Sequence, residues 1–178
     1  MNKYLRMMTV FLVLLISMFS SSLWAEKMED GRVTHIAQLP HINIAYQDLG
    51  NADDPVVVLV MGLGRQLTAW NDTIVKGLLN ANLRVILFDN RDVGLSSKFE
   101  KQEEPNIAIQ VFKYLTGQTL NAPYLLTEMA NDTVALMDYL TIEQFHIAGT
   151  SLGGMIAQEV AIQYPERIRS LIPIMSTS

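Results

Sequence analysis

The stretch Phe145-His146-Ile147-Ala148-Gly149-Thr150-Ser151-Leu152-Gly153-Gly154 decides the fold. A short apolar run leads into it, and a Gly-x-Ser-x-Gly pattern fills 149–153. A helical stretch from Leu152 to about Tyr164 leaves it and is stopped by Pro165. Such a pattern arises by chance in roughly one chain in twenty of this size, so its placement between a strand and a helix carries the weight. A serine at that junction must adopt a strained turn that lifts its hydroxyl into the open. Only flanking glycines let strand and helix approach so closely. The helix then aims its N-terminus at Ser151, leaving the Leu152 N–H free to meet a developing negative oxygen. The competing reading is a Gly-rich strand–helix turn without chemistry.

The same alternation recurs on the N-terminal side. Val56-Val57-Val58-Leu59-Val60-Met61 is apolar without a polar break, which suits a strand covered on both faces of a parallel sheet. The turn formers Gly50 to Pro55 precede it, and before them Arg32–Ala37 and Ile42–Asp48 read as a strand pair. A helix is expected from Ala69 to about Leu79, then a second buried strand at Val85-Ile86-Leu87-Phe88, ending in Asp89. An insert spans roughly Gly94 to Tyr124, with Ile107, Val111 and Leu115 on one helical face. Thr127 is the expected N-cap of the next helix, whose apolar stripe is Ala130, Val134 and Met137. Ser170 to Met175 reads as a last strand, although Pro173 removes a ladder donor. Strands alternating with helices give an α/β fold with a mostly parallel sheet and a leading antiparallel hairpin.

Met61-Gly62-Leu63-Gly64 leaves the first buried strand. Gly62 and Gly64 let that loop turn back so that an amide, that of Leu63, faces Ser151 as a second backbone donor; Gly149 and Gly153 support the elbow itself. Phosphate binding is the alternative, but neither the dinucleotide glycine spacing nor a Walker lysine is present. Asp89 and Asp92, in Phe88-Asp89-Asn90-Arg91-Asp92-Val93-Gly94-Leu95-Ser96, suggest a carboxylate pair or a metal site. The preferred reading is a charged strand exit whose Asp and Arg satisfy loop amides and each other. His146 lies five residues before Ser151 on the same strand, roughly 16 Å away at about 3.3 Å per residue, too far to take the serine proton. His35 and His41 fall in the opening hairpin, so all three histidines are read as structural. No cofactor or metal is expected.

Hydrophobic residues make up 49% and charged residues 17% of 178, the balance of a folded domain and not of a disordered tail. No basic run appears, which argues against nucleic acid or an anionic membrane as partner. The absence of cysteine excludes a disulfide framework, a thiolate metal site and a catalytic thiol. Residues 1–25 have the layout of a secretory leader: Lys3 and Arg6, an apolar run from Met7 to Phe19, and a small-residue exit at Ala25. That run is shorter than the ~20 residues of a membrane span. Cleavage there and a periplasmic or secreted address are expected; losing Lys3 and Arg6 takes the net charge from −5 to −7.

The blocks MGLGRQLTAW, FDNRDVGLSSK, GTSLGGMIAQ and PERIRSLIPIMSTS, in this order, resemble bacterial α/β-hydrolases of the type that includes aclacinomycin methylesterase and related serine esterases. The resemblance implies Ser151 as nucleophile, the Leu63 and Leu152 amides as oxyanion hole, and a small-molecule carboxylic ester as substrate. Met61 stands where many hydrolases carry histidine, which matters little for a backbone donor. Serine at 151, where dehalogenases carry a carboxylate, argues against dehalogenation. C–C bond hydrolysis and perhydrolysis use the same elbow and remain open. Family members continue into a cap, an acid and a histidine that this sequence does not contain. The expectation is therefore that 26–178 is the N-terminal part of a hydrolase domain, with at most residual activity on its own. Alternatively it is a non-catalytic remnant.

Overall fold

The computed structural model describes residues 32–99 and 124–177. The expected leader at 1–25 and the helical face of Ile107, Val111 and Leu115 lie outside them. Among the described residues, six strands form one sheet in the order β1-β2-β4-β3-β5-β6. They are β1 (His35–Gln38), β2 (Asn43–Leu49), β3 (Val56–Val60), β4 (Arg84–Phe88), β5 (Phe145–Thr150) and β6 (Ile168–Ile174). β1 and β2 form the expected antiparallel hairpin, and β2 also runs antiparallel to β4. β4, β3, β5 and β6 are mutually parallel.

The unbroken apolar run of β3 has a plain cause. Val56, Val58 and Val60 pack on one face of the sheet, while Val57 and Leu59 pack on the other. Helices cover both sides, so neither set of side chains meets water. The first face is covered by α2 (Leu126–Tyr139) and α3 (Leu152–Gln163), through Leu136, Met137, Ile156 and Val160. The second is covered by α1 (Asp72–Asn80) through Val75, together with Leu67 and Trp70.

Two helix starts differ from the sequence reading. α1 begins at Asp72, not Ala69, because Asn71 caps it: its side chain accepts the Thr73 N–H at 2.8 Å. Leu67–Ala69 is instead a 3₁₀ turn. α2 begins at Leu126 with Leu125, not Thr127, at the N-cap; the Glu128 carboxylate reaches back to the Leu125 N–H at 2.8 Å. β6 contains Pro173 without losing a bond to β5. The Ile174 carbonyl accepts from Ser151 N–H at 2.9 Å, so Ile174 faces β5 and Pro173 turns its nitrogen away, toward a side where no described strand pairs.

β3 is central, with β4 on one side and β5 on the other. The chain therefore reverses direction across the sheet between β3 and β5, and the crevice at the C-terminal ends of these strands is where an open α/β sheet places a ligand.

Candidate active site

The register brings the two site-bearing loops together. Val60 pairs with Gly149 across β3 and β5, so the residues that follow, Met61-Gly62 and Thr150-Ser151, leave the sheet side by side. A Cβ built on Gly62 would stand 3.2 Å from the Thr150 carbonyl oxygen and 3.4 Å from the Ser151 Cβ.

Ser151 sits at φ 52°, ψ −120°, at the N-cap of α3, and its side chain is exposed. A non-glycine residue held there stores on the order of 1–3 kcal/mol and persists only where its surroundings impose it. Here they do. A Cβ on Gly149 would overlap the Gly153 carbonyl, and one on Gly153 would overlap the Val60 carbonyl, so only hydrogen fits between β5, α3 and β3. Ser151 N–H is held by Ile174, and the Ser151 carbonyl takes the N–H groups of Gly154 at 2.9 Å and Met155 at 3.2 Å. The strand, the helix and β6 together fix the bend.

Leu152 is the first residue of α3, where an N–H has no partner within the helix. Leu63 lies inside a turn closed by Arg65 N–H on the Gly62 carbonyl at 3.2 Å, and Gly64 follows at φ 65°. Neither the Leu63 nor the Leu152 N–H donates to another group among the described residues. Ser151, Thr150, Gly62, Leu63, Trp70 and Ile174 border an open cleft of about 470 Å³. A second hollow, about 290 Å³, shares Gly62 and Leu63 with it and is bordered also by Leu152, Arg91, Tyr124 and Met129.

The histidines stand elsewhere, and each of the three is described. His146 Nδ1 lies 2.7 Å from Ser170 Oγ, at the end of β5 opposite Ser151. His35 lies against Tyr46 in the hairpin, with ring centroids 5.5 Å apart and the planes tilted, and His41 is exposed in its turn.

The β4 exit behaves partly as read. Asp89, 3% exposed, accepts from Leu67 N–H at 2.7 Å and from Leu95 N–H at 3.0 Å. Asp92 accepts from Phe99 N–H at 2.8 Å. These carboxylates satisfy loop amides. Arg91 does not pair within the turn as expected: its guanidinium makes a two-pronged bond to Asp132 of α2, at 2.7 and 2.9 Å. The charge is covered by the rings of Phe99 and Tyr124, 5.0 and 4.8 Å away. Burial, reinforced by a hydrogen bond to Asp92, pushes the Tyr124 hydroxyl up to about 12. Sequence reasoning missed Asp132 and Tyr124, for which no local signal exists. It also missed Asn90, whose amide donates to the Met61 carbonyl at 3.0 Å.

The profile of the alpha/beta hydrolase fold family matches residues 55–178. The chain belongs to this family. Among curated α/β-hydrolase relatives, it is 28% identical over 138 residues to rhodomycin D methylesterase DauP of Streptomyces sp. (strain C5), covering 78% of this chain and 40% of that one. It is 29% identical over 131 residues to 3-oxoadipate enol-lactonase 2 of Acinetobacter baylyi, covering 74% and 40%. The chain thus spans about two fifths of these relatives' length. Among solved structures, an alpha/beta hydrolase fold protein from Chitinophaga pinensis superposes with a TM-score of 0.62 at 27% identity, over 79% of this chain and 42% of that one. A bacterial membrane phospholipase A shares the fold, with a TM-score of 0.68 at 22% identity over 100% and 53%.

Proposed function

We propose that this α/β-hydrolase acts on small or medium carboxylic esters through an acyl-enzyme on Ser151. The observation that carries the reading is the strained, exposed Ser151, with two unengaged backbone donors beside it. Ser151 Oγ attacks the ester carbonyl, and the resulting oxyanion meets the Leu63 and Leu152 N–H groups at the positive end of α3. Collapse breaks the ester C–O bond, the leaving oxygen takes up the proton lost by Oγ and departs as the alcohol, and the acyl group stays on Oγ; water then adds to the acyl carbon, releasing the acid and returning a proton to Oγ. Two relatives named as a methylesterase and an enol-lactonase support ester and lactone carbonyls as the substrate class.

The proton leaving Oγ needs an imidazole within hydrogen-bond reach, and none of this sequence's histidines is placed to supply it. This chain is therefore expected to show only what nucleophile and donors provide by themselves, on the order of 10³-fold over solvent hydrolysis. The test is p-nitrophenyl butyrate with this chain and with Ser151→Ala. The reading predicts slow release that depends on Ser151, with butyryl mass on the peptide containing it. Equal release by the two proteins would overturn it. We further propose that residues 1–25 direct export; a mature mass beginning at Glu26 supports this and an intact N-terminus opposes it.

A further inference from the structure

We propose that Asn90, assisted by Asp89, is a positioning residue that fixes the loop carrying the Leu63 N–H donor before substrate arrives. The inference rests on the Ser151 reading and adds what holds the donor opposite Leu152. Both side chains stand at the end of β4, on the strand next to β3, and both are buried, at 3% and 4% exposure. Asn90 Nδ2 donates to the Met61 carbonyl at 3.0 Å, where the loop begins. Asp89 Oδ1 accepts from Leu67 N–H at 2.7 Å, where it ends. Met61 O can only accept, so the orientation of the Asn90 amide is settled by chemistry. Consecutive residues just past the end of β4 thus tether both ends of 61–67, and Leu63 lies between the tethers.

The Met61 carbonyl has little freedom of its own. It lies 2.8 Å from where a Cβ on Gly153 would be, hard against the first turn of α3. Asn90 is its hydrogen-bond partner in that buried place. Take the donor away and a buried carbonyl is left unpaired, which costs free energy that rotation of the Met61–Gly62 peptide relieves. That rotation carries Gly62 and Leu63 with it, so a donor set for the oxyanion is lost without any contact between Asn90 and substrate.

The discriminating variant is Asn90→Asp, which keeps size and shape but presents only acceptors to Met61. Thr34→Val is the control: it removes a buried hydrogen bond, from Gln47 Nε2 to Thr34 Oγ1, remote from the cleft. With p-nitrophenyl butyrate, Ser151 acylation at saturation should fall about 10²-fold in Asn90→Asp. The ester concentration giving half-maximal rate should stay within about twofold, since a donor to the transition state is lost and not ground-state binding. Amide exchange in 61–67 should quicken in the same variant, and Thr34→Val should match wild type in all three readouts. Wild-type acylation in Asn90→Asp, or unchanged exchange in 61–67, overturns the clamp and leaves the Ser151 reading standing. A wild-type chain whose Ser151 never acylates overturns both.

Discussion

The elbow at 149–154 and the β4 exit at 89–97 flank the same loop but are ordered by opposite means. In the elbow the Ser151 side chain makes no capping bond to α3; backbone lies on backbone, and Gly149 and Gly153 are there because nothing larger fits. At the β4 exit, order comes from polar side chains. Asp89 bonds two amides, Asn90 a carbonyl and Arg91 a carboxylate on α2, while Ser96 Oγ accepts from Ala45 N–H at 2.9 Å and donates to the Asp89 carbonyl at 2.6 Å. Steric order leaves a signature in sequence, since an excluded side chain is read as glycine. Bonded order leaves only polar residues whose partners sit on other strands.

The contrast can be broken most directly at Gly153. Gly153→Ala drives a Cβ into the Val60 carbonyl, part of a central strand that cannot swing aside, and should cost about 3 kcal/mol or more. Urea denaturation measures it; an unchanged midpoint would end the claim that contact alone shapes the elbow. Arg91→Leu probes the bonded region and should cost about 3 kcal/mol by leaving Asp132 buried and unpaired, with side chains only 8% and 11% exposed in the pair. Arg91→Leu combined with Asp132→Leu should recover much of that loss, as removal of a whole buried pair often does.

A smaller effect of opposite sign is expected at Gly77, in α1, where an added Cβ meets nothing. Gly77→Ala should stabilise by about 0.5–1 kcal/mol through helix entropy alone. Smaller again is the alkaline response of Tyr124, partly exposed and so screened. Its hydroxyl is raised from 10.0 to about 12, so the folded state favours the protonated ring. That contribution is complete below pH 10 and is lost as pH rises through 12. Tyr124→Phe should flatten the stability profile in this window. Tyr46, also raised by burial, then by Tyr139 and Asp48, contributes in the same direction.

The same division explains what the sequence made legible. β3 and the Val85–Phe88 part of β4 are readable because burial on both faces writes itself as an unbroken apolar run, and the elbow because three chain segments meet at glycine. Pro173 looked foreign to a strand, yet β6 tolerates it because its nitrogen faces the unpaired side. The Thr127 cap was misplaced because Glu128, not a capping hydroxyl, closes the first turn of α2. Asn90 gave no warning at all: its partner Met61 is 29 residues away and becomes a neighbour only once β3 and β4 pair. Arg91 and Asp132, 41 residues apart, are the same case.

The hydrolase reading stands on the presentation of Ser151 to two main-chain donors. A crystal structure of the chain after reaction with a p-nitrophenyl phosphonate tests it in one step. Phosphorus should be bonded to Ser151 Oγ, with its free oxygen about 2.7–3.1 Å from both the Leu63 and Leu152 nitrogens. A phosphonyl group on any other residue, or an oxygen turned to solvent away from those two N–H groups, would contradict it.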